Sequence, residues 1–254
     1  PVIFEIGPLA VRWYGVMFAI AFLSGGLLGN WILKREGKSS ESLDRIMLYM
    51  IVGTLVGARL GHCLFYEPGF YLSHPVEILK IWRGGLASHG AGVGIILAFY
   101  LYSRKTPDQP FLWILDRVAL TTALGAAFVR IGNLFNSEII GKPTAGDWGV
   151  IFKRVDLMPR HPTQLYESAA YLLIFFILLG VYLNRGLAKR QGLLVGLTLV
   201  LLTPARALIE VFKENQSAFE EGWALNLGQL LSIPFFLLGC YFIYRSFRTT
   251  PSHR

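Results

Sequence analysis

Seven apolar runs dominate this chain, at 14–33, 43–66, 86–102, 111–134, 165–183, 193–212 and 227–244. Each approaches the ~20 residues that a helix needs to cross the hydrocarbon core of a bilayer. Only 16% of the 254 residues are charged and 54% are hydrophobic, whereas soluble domains carry about 25% charged residues. In lipid the backbone must satisfy its own hydrogen bonds, and runs of this length do so as helices. The expected fold is an all-α polytopic membrane protein, a single transmembrane domain over 1–254 with about seven spanning helices. The run 14–33 is too long for a signal-peptide core, lacks a small-x-small cleavage site and is followed by Lys34 and Arg35, so it reads as a retained span.

A net charge of +8 would suggest nucleic acid in a soluble protein, but here the basic residues cluster between the runs. Lys34, Arg35 and Lys38 follow the first run, Arg104 and Lys105 the third, Arg185, Lys189 and Arg190 the fifth, and Arg245, Arg248 and Arg254 the last. In a seven-span chain these segments share one side, which the positive-inside rule makes cytoplasmic. The N-terminus is then outside and the C-terminus cytoplasmic. The opposite loops mix signs, with Glu67, Glu77, Lys80 and Arg83, then Asp147, Lys153, Arg154 and Asp156, then Glu214, Glu220 and Glu221. The partner implied is the lipid bilayer, with no nucleic acid.

The Gly- and Pro-rich segment 136–163 is expected to form a small extracytoplasmic cap, in which 148–152 fits a short strand or an interfacial wedge. Residues 74–82 fit a short interfacial helix. The ridges Gly53/Gly57/Gly61 and Gly25/Gly29 fit close helix packing. Cys63 and Cys240 fall near opposite faces of the bilayer, so no disulfide is expected, and no Cys/His spacing suits a metal.

Depth sorts the polar residues. Tyr14 begins span one on the outer side. Arg59 and His62 lie in the outer third of span two, and His89 about a turn inside the outer mouth of span three. Arg130 and Asn133 close span four; His161, Gln164, Tyr166 and Glu167 open span five; Arg206 and Glu210 lie one turn apart in outer span six. Asp116 and Arg117 are the main exception, near an inner mouth. Intramembrane polar groups cost free energy and face an interior or a wet cavity. A polar chamber toward the outer leaflet follows, with Arg59, Arg130 and Arg206 bringing positive charge from three helices. Arginine binds phosphate in bidentate fashion and keeps its charge when desolvated, and the anion at that depth is a phospholipid head group. An Arg206–Glu210 helical pair is a second, structural reading of those residues.

The motifs then fall into a known order. They are Gly7-Pro8 with Arg12-Trp13-Tyr14-Gly15, Gly57-Ala58-Arg59-Leu60-Gly61 and Trp82-Arg83-Gly84-Gly85-Leu86-Ala87-Ser88-His89-Gly90. They continue as Arg130-Ile131-Gly132-Asn133 through Asn136, Glu138 and Gly141, then His161-Pro162-Thr163-Gln164-Leu165-Tyr166-Glu167, then Leu227-Gly228-Gln229-Leu230-Leu231-Ser232-Ile233-Pro234. From about residue 2 to 234 the chain resembles the prolipoprotein diacylglyceryl transferases, which lipidate bacterial lipoprotein precursors. The resemblance implies seven transmembrane helices in the bacterial cytoplasmic (inner) membrane, phosphatidylglycerol as donor, the lipobox cysteine next to a prolipoprotein signal peptide as acceptor, and no cofactor or metal. By position it singles out Tyr14, His89, Arg130, Asn133, Glu138, Gly141, Arg206 and Glu210. Two positions depart from the family pattern: its Arg-x-x-x-Glu-x-Phe-Arg ends here in Lys213, and Leu202 stands where a tyrosine is often found. No role is assigned to either.

The expected reaction moves a diacylglyceryl group from a phosphate oxygen to sulfur and releases glycerol phosphate. Arg130 and Arg206 are assigned to the phosphate, whose charge grows as the C–O bond breaks. Asn133, Glu138, Gly141 and Glu210 are assigned, with Arg130, to substrate binding. His89 is the candidate base toward the thiol, with Tyr14 and Glu138 orienting; in a second version the arginine field lowers the thiol pKa and His89 only positions the donor. The alternative function is a non-enzymatic transporter of a lipid or small anion, which would need polar residues at mid-depth or at both leaflets.

Overall fold

The structure is a computed structural model that describes residues 2–7, 9–144, 146, 148–214 and 227–249. Pro8, Asp147, Glu220, Glu221 and Arg254, used above, lie outside the described residues, as do the side chains of Leu227, Gly228, Gln229 and Leu231. The fold is mostly helical. Its helices are α1 (Trp13–Arg35), α2 (Ser40–Phe65), α3 (Pro68–Ser73), α4 (Ser88–Lys105), α5 (Phe111–Asn136), α6 (Thr163–Leu183), α7 (Arg185–Ala188), α8 (Leu193–Glu210) and α9 (Leu227–Arg248). Among the described residues, five of them, α1, α2, α5, α6 and α8, are long and apolar enough to cross a membrane. The expected runs 86–102 and 227–244 do form helices, α4 and α9, but these fall short of that measure.

The chain divides into two compact units, 30–115 and 1–29 with 116–254. In the first, α2 and α4 pack through glycine. A Cβ added at Gly53 would lie 2.7 Å from Ala98 Cβ, one at Gly57 2.8 Å from Gly94 Cα, and one at Gly61 2.8 Å from Gly90 Cα. The small-residue ridge therefore serves close backbone approach, as its spacing suggests. The stretch read as one interfacial helix is broken instead. After α3 come two short 3-10 helices, Pro75–Leu79 and Ile81–Arg83, which expose Val76, Leu79 and Trp82.

Arg59 departs from its expected role. It is buried, and it donates to the carbonyls of Glu77 and Gly84 at 2.6 Å each, Ile78 at 2.9 Å and Gly85 at 3.2 Å. Its Cζ also lies 5.0 Å from the centre of the Tyr71 ring. Carbonyl oxygens occupy the fork that the sequence reading offered to a phosphate.

In the second unit an antiparallel hairpin, β1 (Val2–Ile6) and β2 (Leu9–Arg12), precedes α1. Helices α8 and α9 meet at Gly196 and Gly239, whose added Cβ atoms would each lie 2.9 Å from the other's carbonyl oxygen. The start of α8 is held by Asp116 of α5, which is buried and accepts from the backbone N–H groups of Gly192 at 2.8 Å and Val195 at 2.9 Å. This exception to the polar distribution is thus a helix cap. In 137–162, β3 (Val150–Ile151) pairs with β4 (Pro159–Arg160), so 148–152 holds a strand, and Phe152 is buried.

Candidate functional site

The local fold at the end of α5 follows from how the helix stops. Ser137 takes a left-handed conformation (φ 56°), its N–H bonds the Leu134 carbonyl at 3.1 Å, and the Glu138 N–H reaches the Asn133 carbonyl at 3.0 Å. These two bonds form a Schellman turn, which reverses the chain at the helix end and usually has glycine where Ser137 stands. Ile139 is also left-handed at φ 55°. For a β-branched residue this conformation is strained, and such strain persists where surrounding contacts impose it. The contacts here are Thr163 Oγ1 donating to the Ile139 carbonyl at 2.9 Å and Gln164 Nε2 donating to the Glu138 carbonyl at 2.7 Å.

The reversal turns the Glu138 side chain back along the helix. Its carboxylate accepts from Asn133 Nδ2 at 2.9 Å and from Asn136 Nδ2 at 3.1 Å. One turn earlier, Arg130 donates from Nη1 to Asn133 Oδ1 at 3.4 Å. Arg130, Asn133 and Glu138 are therefore brought together as the sequence reading grouped them.

What that reading missed lies on α6 and beyond α8. Glu167 is fully buried, and its two carboxylate oxygens face different cations. Oε2 lies 2.9 Å from Arg130 Nε, in an ion pair without hydrogen-bond alignment, while Oε1 accepts an aligned bond from Lys213 Nζ at 2.8 Å. Lys213 is buried as well and donates to Glu210 at 3.2 Å. The result is an alternating row, Arg130–Glu167–Lys213–Glu210. Buried charges persist when paired in this manner, and removing one member is far more damaging than removing both. The sequence offered Glu167 as a polar residue at a span mouth and as the end of a family motif, without a role in the site, and Lys213 as a departure without a role.

The remaining candidates are placed as follows. Glu210 pairs with Lys213 rather than with Arg206; Lys213 is closer to it by one position and is itself desolvated. Arg206 is exposed on α8 and has no ion pair among the described residues. Tyr14 lies at the start of α1, where a Cβ added at Gly132 of α5 would come 3.1 Å from its ring. Gly141 acts through its backbone. A side chain there would collide with His161, to whose carbonyl the Gly141 N–H donates at 3.2 Å. His89 belongs to the other unit. It is exposed in the first turn of α4 and lines an apolar groove of about 1010 Å³ between α2 and α4, with Leu60, Leu64, Tyr66 and Val93.

Beside Gly141, Arg160 organises the loop. It is buried, donates to the Gly141 carbonyl at 3.0 Å and to Asp156 at 2.6 Å, and pairs with Glu214. The Arg160 hydrogen bond holds the Asp156 carboxyl below the usual carboxylate range. Among the described residues, no group of three or more His, Cys, Asp or Glu side chains converges as a metal site would require.

Helices of this length and apolarity are those of a multi-pass helical membrane protein, here with charges buried in one paired row. The chain belongs to the prolipoprotein diacylglyceryl transferase family, whose model matches residues 1–245. Relatives named phosphatidylglycerol–prolipoprotein diacylglyceryl transferase include that of Tolumonas auensis, 51% identical over 94% of this chain and 92% of its own. That of Chloroherpeton thalassium is 50% identical over 97% and 92%, and that of Porphyromonas gingivalis is 44% identical over 97% and 92%.

Proposed function

We propose that this chain transfers the diacylglyceryl group of phosphatidylglycerol to the lipobox cysteine thiol of a prolipoprotein. An S–C bond forms at the glycerol carbon, the C–O bond to phosphate breaks, and glycerol phosphate leaves; the thiol proton passes to a base. The observation that carries the reading is Arg130, whose one aligned hydrogen bond among the described residues goes to Asn133. Its Nε lies against Glu167, and its remaining terminal donors suit an incoming phosphate, whose growing charge they would stabilise in the transition state.

In this reading Arg206, exposed and free of ion pairs among the described residues, is the second phosphate ligand. Asn133 and Glu138 form a polar wall for lipid oxygens, and Gly141 and Glu210 shape that wall. Tyr14 orients the donor. His89 takes the thiol proton, an assignment supported by the resemblance and by its exposed position. The chain spans the cytoplasmic membrane seven times as one transmembrane domain, with the N-terminus outside and the C-terminus in the cytoplasm. The segment 136–163 then caps a site that opens toward the outer leaflet. The transporter alternative gains no support from relatives that are named as transferases.

The test is transfer from labelled phosphatidylglycerol to lipobox peptides with and without the cysteine. Label on the cysteine peptide alone is the expected result, and no label on either sinks the proposal.

A further inference from the structure

The sequence-based role of Arg130 leaves its neighbours unexplained. A buried carboxylate next to a phosphate-binding arginine is a competitor for it, because carboxylate and phosphate both match the guanidinium fork. Glu167 is such a competitor, fully buried and 2.9 Å from Arg130 Nε. Yet the aligned hydrogen bond to Glu167 comes from Lys213 at 2.8 Å, and the arginine contact is unaligned. Glu210, on the other side of Lys213, completes the charge balance at 3.2 Å.

We propose that Lys213 is a positioning residue for the transfer reaction: it holds the buried Glu167 carboxylate at Arg130 Nε, so that Glu167 does not draw the terminal donors of Arg130 away from the lipid phosphate. This rests on the reading that Arg130 binds that phosphate. Lys213 suits the task because its ammonium is a compact point charge on a flexible stem, able to saturate one oxygen and leave the other. Without it, Glu167 has Arg130 as its one remaining cation among the described residues, and the arginine fork closes on the carboxylate.

The test uses the full chain, purified in lipid nanodiscs, with the two substrates varied separately. Lys213→Met is expected to raise KM for phosphatidylglycerol about tenfold or more and leave KM for the lipobox peptide unchanged, since the interaction lost belongs to lipid binding. Lys213→Arg keeps a buried cation against Glu167 and is expected to raise the lipid KM less than Lys213→Met does. Glu167→Gln/Lys213→Met removes the competing charge together with its restraint, and is expected to bring the lipid KM back toward the parent value. A merely structural role would lower the thermal midpoint and shift both KM values or neither.

An unchanged lipid KM in Lys213→Met, equal rises for both substrates, or a Lys213→Arg variant as impaired as Lys213→Met would each overturn the proposal. Should Lys213→Met fail to fold, the double variant decides, because it leaves neither member of this pair as an unpaired buried charge; a tenfold rise in its lipid KM overturns the proposal. Arg130→Gln separates the two levels. If that variant keeps the parent lipid KM and turnover, the phosphate reading itself fails. If it loses transfer while Lys213→Met does not, the positioning role alone fails.

Discussion

Arg160 donates to the Gly141 carbonyl at 3.0 Å, joining two positions nineteen residues apart in the chain. The same guanidinium takes Asp156 and Glu214, so one buried cation ties together three stretches of backbone around the end of α5. The segment 140–142 runs between residues 160–161 on one side and 212–214 on the other, with Lys142 N–H donating to Phe212 at 2.8 Å and Glu214 N–H to Ile140 at 3.3 Å.

Arg160→Gln should therefore loosen this loop before it disturbs the helices. Hydrogen exchange is expected to rise at 140–144 and 158–161 and stay unchanged in α2 and α4. The parent loop should also be sensitive to acid. Asp156 has a folded-state pKa below its unfolded value of about 3.9, so its contribution is complete above that pH and is lost as pH falls through the folded value. Loop protection is expected to be flat from about pH 5 to 8 and to fall below about pH 4, with the fall much reduced in Arg160→Gln.

Arg130 and His89 make separable predictions. Arg130→Ala is expected to lower kcat/KM by about 10²–10³, the scale for losing one preorganised donor to developing charge. His89→Ala is expected to lose about 10²–10⁴, the usual contribution of a general base, and to lose less as pH rises and the thiol ionises unaided. Near-normal transfer by His89→Ala across the pH range would remove histidine from the proton transfer.

The α2–α4 seam can be tested without assaying activity. Gly57→Ala places a methyl against backbone atoms of α4 that have no side-chain freedom, and should cost about 1–3 kcal/mol. Gly92 on the same α4 helix meets nothing within 4 Å. Gly92→Ala should be neutral or stabilising by up to about 1 kcal/mol, from helix propensity. Denaturation of both variants in one detergent checks the contrast.

Ser137→Gly should stabilise the fold by roughly 1 kcal/mol, because it removes a Cβ from a left-handed position while leaving both Schellman bonds to the backbone. A loss of stability would show that the Ser137 side chain matters more than its conformation.

Seen against the sequence, the features that depend on local pattern came through and those that depend on pairing at a distance did not. Apolar length identified the helices, and the one-turn spacing of Arg130 and Asn133 placed them on one face. The glycine ridge of α2 announced a close neighbour. The hairpin of β1 and β2 was missed because Val2-Ile3-Phe4 has no period-two alternation and a two-stranded ribbon leaves little pattern. Glu167 and Lys213 are 46 positions apart, so spacing gave no hint of their bond. Helical spacing favoured Arg206 as the partner of Glu210, whereas burial at the end of α8 chose Lys213. Position along a span does not distinguish a fork waiting for phosphate from one filled by carbonyls, as the Arg59 fork is.

That filled fork has a further consequence. Guanidinium does not deprotonate in any ordinary medium and peptide carbonyls do not titrate. The loop bound to Arg59 through Glu77, Ile78, Gly84 and Gly85 thus has no proton-dependent part in its anchor. In the same loop the Glu77 carboxylate also pairs with Lys80 and Arg83 and does titrate, but those bonds lie within the loop. Souring the surrounding medium should therefore release the Asp156 and Glu214 contacts of Arg160, while the carbonyls on Arg59 keep the backbone leading to His89 anchored to α2.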